Sequence, residues 1–149
     1  MDHESPMRRC LELARESLAN GEVPVGAVVV RDGLIVAEGV ERTRALLDHT
    51  AHAEVRAIQA ACQTLQSTSL AGLTLYSTVE PCVLCAYVVR RAALSHVVFG
   101  IPAGQTGGHT SRYALLNDAS LQGWPPPPTV IPGVLAAECA DLMRQFAQR

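Results

Sequence analysis

Hydrophobic and polar residues follow one another along this chain in patterns that predict a series of helices and strands. Apolar residues recur at helical spacing in four stretches, at about 5–20, 51–65, 81–93 and 133–146. Short runs rich in valine, leucine or isoleucine, bounded by glycine, proline or polar residues, predict five strands at 25–30, 34–39, 73–79, 95–100 and 129–131. The pattern therefore predicts a mixture of helices and strands along the whole chain.

Local signals sharpen the ends of several elements. Ser5-Pro6 and Thr50 are typical of helix starts, because a hydroxyl can accept a hydrogen bond from the first free amides of the helix. Asp32-Gly33 predicts a tight turn that joins the first two strands as a hairpin. The order of elements favours an α/β protein, a three-layer α/β/α sandwich. We expect residues 1–149 to form a single domain.

Composition supports a packed core. Hydrophobic residues make up 48% of the 149 residues, and no apolar run is long enough to cross a bilayer. The first residues lack the charged start and apolar stretch of a signal peptide, which favours a cytoplasmic location. Cys10, Cys62 and Cys139 occupy apolar helical positions and are expected to be buried and reduced.

The charge balance bears on the substrate. The chain has a formal net charge of −2, contains no lysine and carries scattered arginines. Proteins that bind a phosphate backbone usually present a clustered basic face. The balance argues against a large nucleic-acid substrate and favours a small molecule, although a local basic patch could still form in the fold.

Two segments carry the candidate chemistry, His52-Ala53-Glu54 and Pro81-Cys82-Val83-Leu84-Cys85. One imidazole and two thiols are zinc ligands, and three protein ligands leave the fourth position of a tetrahedral site for water. Cysteines three residues apart at the start of a helix lie on one face, near the positive end of the helix dipole. Glu54 is close enough in sequence to His52 to handle the protons of that water.

Other interpretations of these residues remain. A Cys-x-x-Cys pair alone is also found in redox proteins and in structural zinc sites. The redox interpretation fits poorly because no thioredoxin-like pattern surrounds the pair. His49 could close a four-ligand structural site, which would indicate a non-catalytic, zinc-stabilised interaction module. The combination of His52, Glu54 and the cysteine pair favours an open catalytic zinc.

These motifs resemble those of the cytidine deaminase-like superfamily, in the branch of bacterial tRNA adenosine, guanine and cytosine deaminases. The resemblance also includes the stretches 21–28, 75–76, 98–100 and 133–139. It implies a five-stranded mixed sheet and one catalytic Zn²⁺ bound by His52, Cys82 and Cys85. It further implies that Glu54 shuttles protons, that the Ala53 backbone amide contacts the substrate ring, and that the protein forms a homodimer.

Two departures from the family pattern bear on the substrate. The relatives usually carry Gly-x-Asn where this chain has Gly39-Val40-Glu41, and an ionised glutamate only accepts hydrogen bonds. If Glu41 contacts the substrate, it favours ring edges with N–H donors, as in guanine-type aminopurines, aminopteridines and aminotriazines. Otherwise Glu41 is a loop residue that faces solvent.

The second departure lies after Gly100. The tRNA-editing relatives usually carry an Arg-Asp pair and then a lysine there, whereas this chain reads Ile101-Pro102-Ala103-Gly104-Gln105. The sequence thus predicts a zinc-dependent hydrolytic deaminase of a small aminated heterocycle, a nucleobase, nucleoside or related compound. A tRNA adenosine-to-inosine deaminase is the alternative.

Overall fold

The computed structural model describes all residues from Met1 to Arg149. Its helices are α1 (Glu4–Ala19), α2 (Ala53–Leu65), α3 (Val83–Arg91) and α4 (Ala136–Ala147). Its strands are β1 (Gly26–Arg31), β2 (Leu34–Val40), β3 (Thr74–Val79), β4 (His96–Ile101) and β5 (Thr129–Ile131). Short 3₁₀ turns cover Gly104–Thr106 and Leu115–Asn117. Not one of these helices has the length and apolar character needed to cross a membrane.

The five strands form one mixed sheet in the order β2-β1-β3-β4-β5. Strand β1 runs antiparallel to β2 and β3, whereas β3, β4 and β5 are parallel. Helices α1 and α4 pack on one face, and α2 and α3 cover the other. The predicted three-layer α/β/α sandwich with a five-stranded mixed sheet is confirmed.

The central strands are buried on both faces, which explains their continuous apolar sequences. In β3, Leu75 belongs to the cluster beneath α2 and α3, whereas the next residue, Tyr76, belongs to the cluster beneath α1 and α4. Val97 and Val98 of β4 divide between the two clusters in the same way. Because successive side chains of a strand point to opposite faces of the sheet, each of these strands contributes side chains to both hydrophobic clusters.

The prediction that Thr50 caps α2 is wrong. Its amide and hydroxyl donate to Asp48 Oδ1, at 2.8 and 2.7 Å, and form a local turn. Helix α2 begins at Ala53, so that His52 is the residue immediately before the helix. The short polar side chain stabilises the preceding loop instead of the helix end.

The predicted cap at the first helix is also displaced. Helix α1 begins at Glu4, before Ser5, and the Asp2 carboxylate accepts the amides of both residues at 3.0 and 3.1 Å. A carboxylate at this position satisfies free N–H groups and opposes the positive end of the helix dipole.

Strands β2, β3 and β4 end at one edge of the sheet, here called the carboxyl edge. Strand β1 begins there, since Gly26 pairs with Val40 and donates its amide to Thr78 Oγ1 at 3.3 Å. Helices α2 and α3 start at the same edge. A side chain on Gly39 would collide with the backbone of α2 at Ala53, so glycine allows this helix to begin directly against β2.

Candidate active site

The side chains of His52, Cys82 and Cys85 meet at the carboxyl edge. His52 Nδ1 lies 3.6 Å from Cys82 Sγ and 3.4 Å from Cys85 Sγ, and the two sulfur atoms are 3.8 Å apart. All five cysteines are free of disulfides. The structure thus brings together three groups of zinc-binding chemistry from segments that are distant in sequence.

These separations match a tetrahedral zinc site. With Zn–S bonds of about 2.3 Å and Zn–N bonds of about 2.0–2.1 Å, tetrahedral angles place two sulfur ligands about 3.8 Å apart and sulfur and nitrogen about 3.6 Å apart. The three distances found here lie within about 0.2 Å of those values. The donor set and its spacing therefore fit Zn²⁺ with one coordination position left for a small molecule.

The backbone presents two of the ligands at the ends of helices. His52 precedes α2 and Cys82 precedes α3, and neither side chain caps its own helix. Their ligand atoms are consequently free to bind a metal. Cys85 lies in the first turn of α3, so the predicted placement of both cysteines inside that turn is correct for Cys85 only.

The Cys82 thiol is prepared for metal binding, whereas hydrogen bonding to Cys82 and burial raise the pKa of Cys85 in the absence of a metal. Hydrogen bonding from Cys85 and then from His52 lowers the pKa of Cys82 to about 4. The thiolate is the form that binds zinc. His52 and Cys82 are partly exposed whereas Cys85 is buried, so the ligands line an opening toward solvent.

Glu54 is buried beside the ligand cluster, with 4% of its surface exposed. Burial, with a smaller contribution from the nearby Cys82 and Glu41, raises the pKa of its carboxyl to about 8. A carboxyl with such a pKa can bind and release a proton near neutral pH, as a general acid–base group requires.

Glu41 and Ala53 contact each other. The Ala53 amide donates to Glu41 Oε1 at 3.1 Å, and Thr43 Oγ1 donates to Oε2 at 3.2 Å. Only 8% of Glu41 is exposed, and burial raises the pKa of its carboxyl. The alternative of a solvent-facing loop residue is therefore wrong, while a contact of either residue with substrate stays a prediction.

His49, the possible fourth ligand, is exposed and is not part of the ligand cluster. The three ligands that remain leave the site open. This arrangement does not support a closed structural zinc site.

Glu80 has a role that the sequence analysis did not assign. It is buried, and its carboxylate accepts the amides of Ala103, His109 and Thr110 at 2.9, 2.8 and 2.7 Å. The Thr110 hydroxyl donates to the same carboxylate at 2.7 Å. Glu80 therefore fixes the loop after β4 against the turn that carries Cys82. The feature of the sequence that could have indicated this role is a glutamate placed between a buried strand and Pro81.

A profile of the cytidine and deoxycytidylate deaminase zinc-binding region matches residues 1–101. The chain belongs to this family. The matched segment contains all three ligands and Glu54, so family membership and geometry agree on a zinc-dependent deaminase.

Two curated relatives of this deaminase act on tRNA according to their names. The tRNA-specific adenosine deaminase of Haemophilus influenzae is 37% identical over 147 residues, covering 98% of this chain and 83% of that protein. The chloroplastic tRNA(adenine(34)) deaminase of Arabidopsis thaliana is 39% identical over 155 residues, covering 95% of this chain. This chain spans only 12% of the length of that plant protein.

Solved structures give a parallel result. A structure from studies of A-to-I editing by tRNA:A34 deaminases superposes with a TM-score of 0.85 at 35% identity, covering 93% of this chain and 98% of the other. Guanine deaminase from Nitrosomonas europaea superposes with a TM-score of 0.80 at 25% identity, covering 99% and 86%. The fold is thus shared with deaminases of both names, and the three proteins above that match at 35–39% identity over at least 93% of this chain are tRNA deaminases.

Proposed function

We propose that this deaminase acts on adenosine in transfer RNA, replacing the amino group at C6 of adenine by oxygen to give inosine and ammonia. The observation that supports this choice is the extent of the match to tRNA-specific adenosine deaminases, 37% identity over 98% of this chain in one case. A tRNA adenosine deaminase was the alternative predicted from the sequence. We now prefer tRNA to a small heterocycle as the substrate.

The placement of arginines supports the proposal. Arg42 follows Glu41, Arg56 lies one helical turn after His52, and Arg112 lies in the loop fixed by Glu80. None of the three forms an ion pair, since the salt bridges of the protein involve Arg8, Arg9 and Arg144. These three arginines are therefore unpaired positive charges on segments that adjoin the site residues along the chain, although the whole chain is slightly negative, because net charge reports nothing about distribution.

The open face of the site also suits a base carried by a large molecule. His52 and Cys82 reach the surface at the carboxyl edge. A base in an RNA loop can be turned out of its stack and presented to such a site.

The residues at this edge have distinct tasks in the reaction. When bound by His52, Cys82 and Cys85, zinc supplies a Lewis acid that activates water for attack on the ring carbon. Glu54 would accept one proton from the attacking water and deliver it to the ring nitrogen. It would then take the second proton, from the hydroxyl group added to the ring carbon, and deliver it to the amino group, which leaves as ammonia. Its burial and raised pKa suit both transfers.

A deaminase of free guanine-type bases is the second candidate. The Glu41 carboxylate favours it, because this acceptor lies near His52 and Glu54 and could bind N–H groups of an aminopurine. The hydrogen bond from Ala53 already occupies one of its oxygens, which leaves less capacity for a ligand.

The two candidates make opposite predictions. Zinc-loaded protein is incubated with an anticodon stem-loop that carries adenosine at the wobble position, and inosine is measured. A stem-loop with that adenosine moved by one position is the matched control. Ammonia release from guanine, adenosine, cytosine, aminopteridines and aminotriazines is measured in parallel.

Inosine in the first stem-loop alone, without ammonia from the free compounds, is the expected result. Rapid ammonia release from guanine together with an unchanged stem-loop would replace the proposal by the second candidate. The homodimer and the cytoplasmic location stay predictions, which sedimentation of the zinc-loaded protein and cell fractionation would test.

A further inference from the structure

An open groove begins one residue away from a zinc ligand. Val83, which lies between Cys82 and Cys85, forms one wall of it, and the segment from Arg112 to Asp118 forms the other. The groove has a volume of about 480 Å³ and is open to solvent. It therefore lies along the start of α3, where its wall residue Val83 directly follows Cys82 in the chain.

The opposite wall is fixed to the zinc-binding turn by the backbone. Cys82 pairs with Gly107, and the Gly108 amide donates to the Pro81 carbonyl at 2.8 Å. The Leu116 amide donates in turn to the Gly108 carbonyl at 2.9 Å. The groove is consequently preformed, and its distance from the zinc ligands is set by main-chain contacts.

The buried guanidinium of Arg90 holds the same wall from α3. It donates to the carbonyls of Leu115 and Asp118 at 2.7 and 2.8 Å. Removing an exposed side chain from this wall should therefore leave its backbone in place.

The side chains that face the groove offer an aromatic ring, an apolar surface and a cation. Tyr113 is 49% exposed and Val83 is 38% exposed, which is high for large apolar side chains. The Arg112 guanidinium lies 5.5 Å from the centre of the Tyr113 ring and forms no ion pair. The acidic residue of the groove is Asp118, whose Oδ1 accepts the amide and hydroxyl of Ser120 at 2.8 and 2.6 Å.

We propose that this groove binds a nucleotide adjacent to the target adenosine, with its base on Tyr113 and its phosphate at Arg112. The inference rests on the proposed function, since it requires a polynucleotide substrate. Bases stack on exposed aromatic rings in single-stranded nucleic acids, and a neighbouring arginine neutralises the backbone. Because the groove starts beside the zinc ligands, a nucleotide held there would fix the position of its neighbour over the metal.

The test compares variants of zinc-loaded protein on the anticodon stem-loop, with kcat and KM measured at several salt concentrations. Tyr113→Leu is expected to raise KM at least ~5-fold, because base–aromatic stacking is lost. Tyr113→Phe keeps the ring and should lie nearer to wild type. Arg112→Gln should raise KM and reduce the slope of log affinity against log salt by about 0.7. Arg31→Gln is the control, since Arg31 is exposed at the opposite end of β1.

A second arm uses stem-loops in which the base on either side of the target is removed. Loss of the base that occupies the groove should raise KM for wild type but not further for Tyr113→Leu, because the two changes delete the same contact. If wild type forms inosine and neither groove variant differs from Arg31→Gln, the inference is wrong while the proposed function stands. If wild type forms no inosine, both fail together.

One result would assign the groove to a protein partner. If Tyr113→Leu changes the mass of the protein in solution and leaves KM for the stem-loop unchanged, a second copy of the chain occupies this surface. That outcome would overturn the nucleotide proposal.

Discussion

The Ala53 amide, at the first residue of α2, donates its hydrogen bond to the carboxylate of Glu41 at 3.1 Å. The contact ties the end of β2 to the start of the helix that follows His52. It joins the Ala53 amide, to which the family resemblance assigns a substrate contact, to Glu41, for which such a contact was one of two alternatives. In this protein the Ala53 amide and the Glu41 carboxylate form a hydrogen bond with each other.

Removing the Glu41 acceptor should destabilise this junction. Glu41→Leu leaves the buried Ala53 amide without a partner, and we expect the free energy of unfolding to fall by about 1–3 kcal/mol. Glu41→Gln keeps a carbonyl oxygen and should lose less. Urea unfolding of the zinc-loaded variants measures both effects, and equal losses would show that the hydrogen bond contributes nothing.

Zinc content should depend on the two thiols of the ligand cluster and not on the other cysteines. Cys85→Ala is expected to abolish binding of zinc and, with it, deamination. Cys62→Ala is the matched control, because Cys62 is a partly buried thiol of α2 outside the ligand cluster. Metal analysis of purified protein measures the content. Retention of zinc by the Cys85 variant would contradict the proposed ligand set.

Glu54 should be needed for the reaction but not for the metal. Glu54→Gln preserves shape and removes the proton-transfer group, so ammonia release should fall ~10²–10⁴-fold while zinc content is unchanged. Glu16→Gln, at an exposed position of α1, is the control and should retain activity. Wild-type turnover in a zinc-loaded Glu54 variant would exclude the proton shuttle.

Two buried glutamates should protect the backbone amides of different loops from hydrogen exchange. Glu80 accepts amides of the loop after β4, whereas Glu22 accepts those of Arg44 and Ala45 at 3.0 and 2.9 Å. Glu80→Ala is expected to accelerate amide hydrogen exchange at Ala103, His109 and Thr110 without affecting 44–45, and Glu22→Ala should do the reverse. Exchange that rises everywhere in both variants would indicate global loss of stability instead.

The ion pair between Arg9 and Glu38 should give a small, pH-dependent stabilisation. Arg9 donates to both carboxylate oxygens, at 2.6 and 2.9 Å, and these hydrogen bonds hold the pKa of Glu38 below its ordinary value. Because the folded pKa is lower than the unfolded value of about 4.3, the contribution is complete above that pH and is lost as the pH falls further.

Glu38→Gln should therefore lower the free energy of unfolding by ~0.2–1 kcal/mol at pH 7, as is usual for partly exposed pairs. The difference from wild type should shrink below about pH 4. Denaturant unfolding at both pH values measures it, with the unpaired Glu16→Gln as control. A difference that persists at low pH would assign the effect to packing.

The layers of the fold and the grouping of His52, Cys82 and Cys85 could be predicted because the motifs that indicate them are local. Runs such as 25–30, rich in β-branched residues, are typical of buried strands, and Cys82 and Cys85 stand at a fixed spacing. The capping of α2 could not be predicted, because Thr50 had an equally good partner in Asp48. The role of Glu80 depends on a loop that returns to it from 23–30 residues further along the chain.

The choice between the two substrates could not be predicted for a different reason. Composition gives the sum of the charges, whereas a polynucleotide responds to where the unpaired charges lie. Arg42, Arg56 and Arg112 come from three separate segments, which follow Glu41, His52 and the loop held by Glu80 along the chain. No pattern within a single segment could have indicated this.

The position of the ligands at the starts of two different helices, α2 and α3, has a consequence for the stability of the protein in the cell. A zinc ion bound by both His52 and Cys82 would close a loop of the chain, because these residues are 30 positions apart in the sequence. A ligand that binds only the folded state shifts the folding equilibrium toward that state. A cell starved of zinc would therefore hold molecules that are both idle and more readily unfolded, and proteases would remove them first. The abundance of this enzyme should follow the supply of its metal.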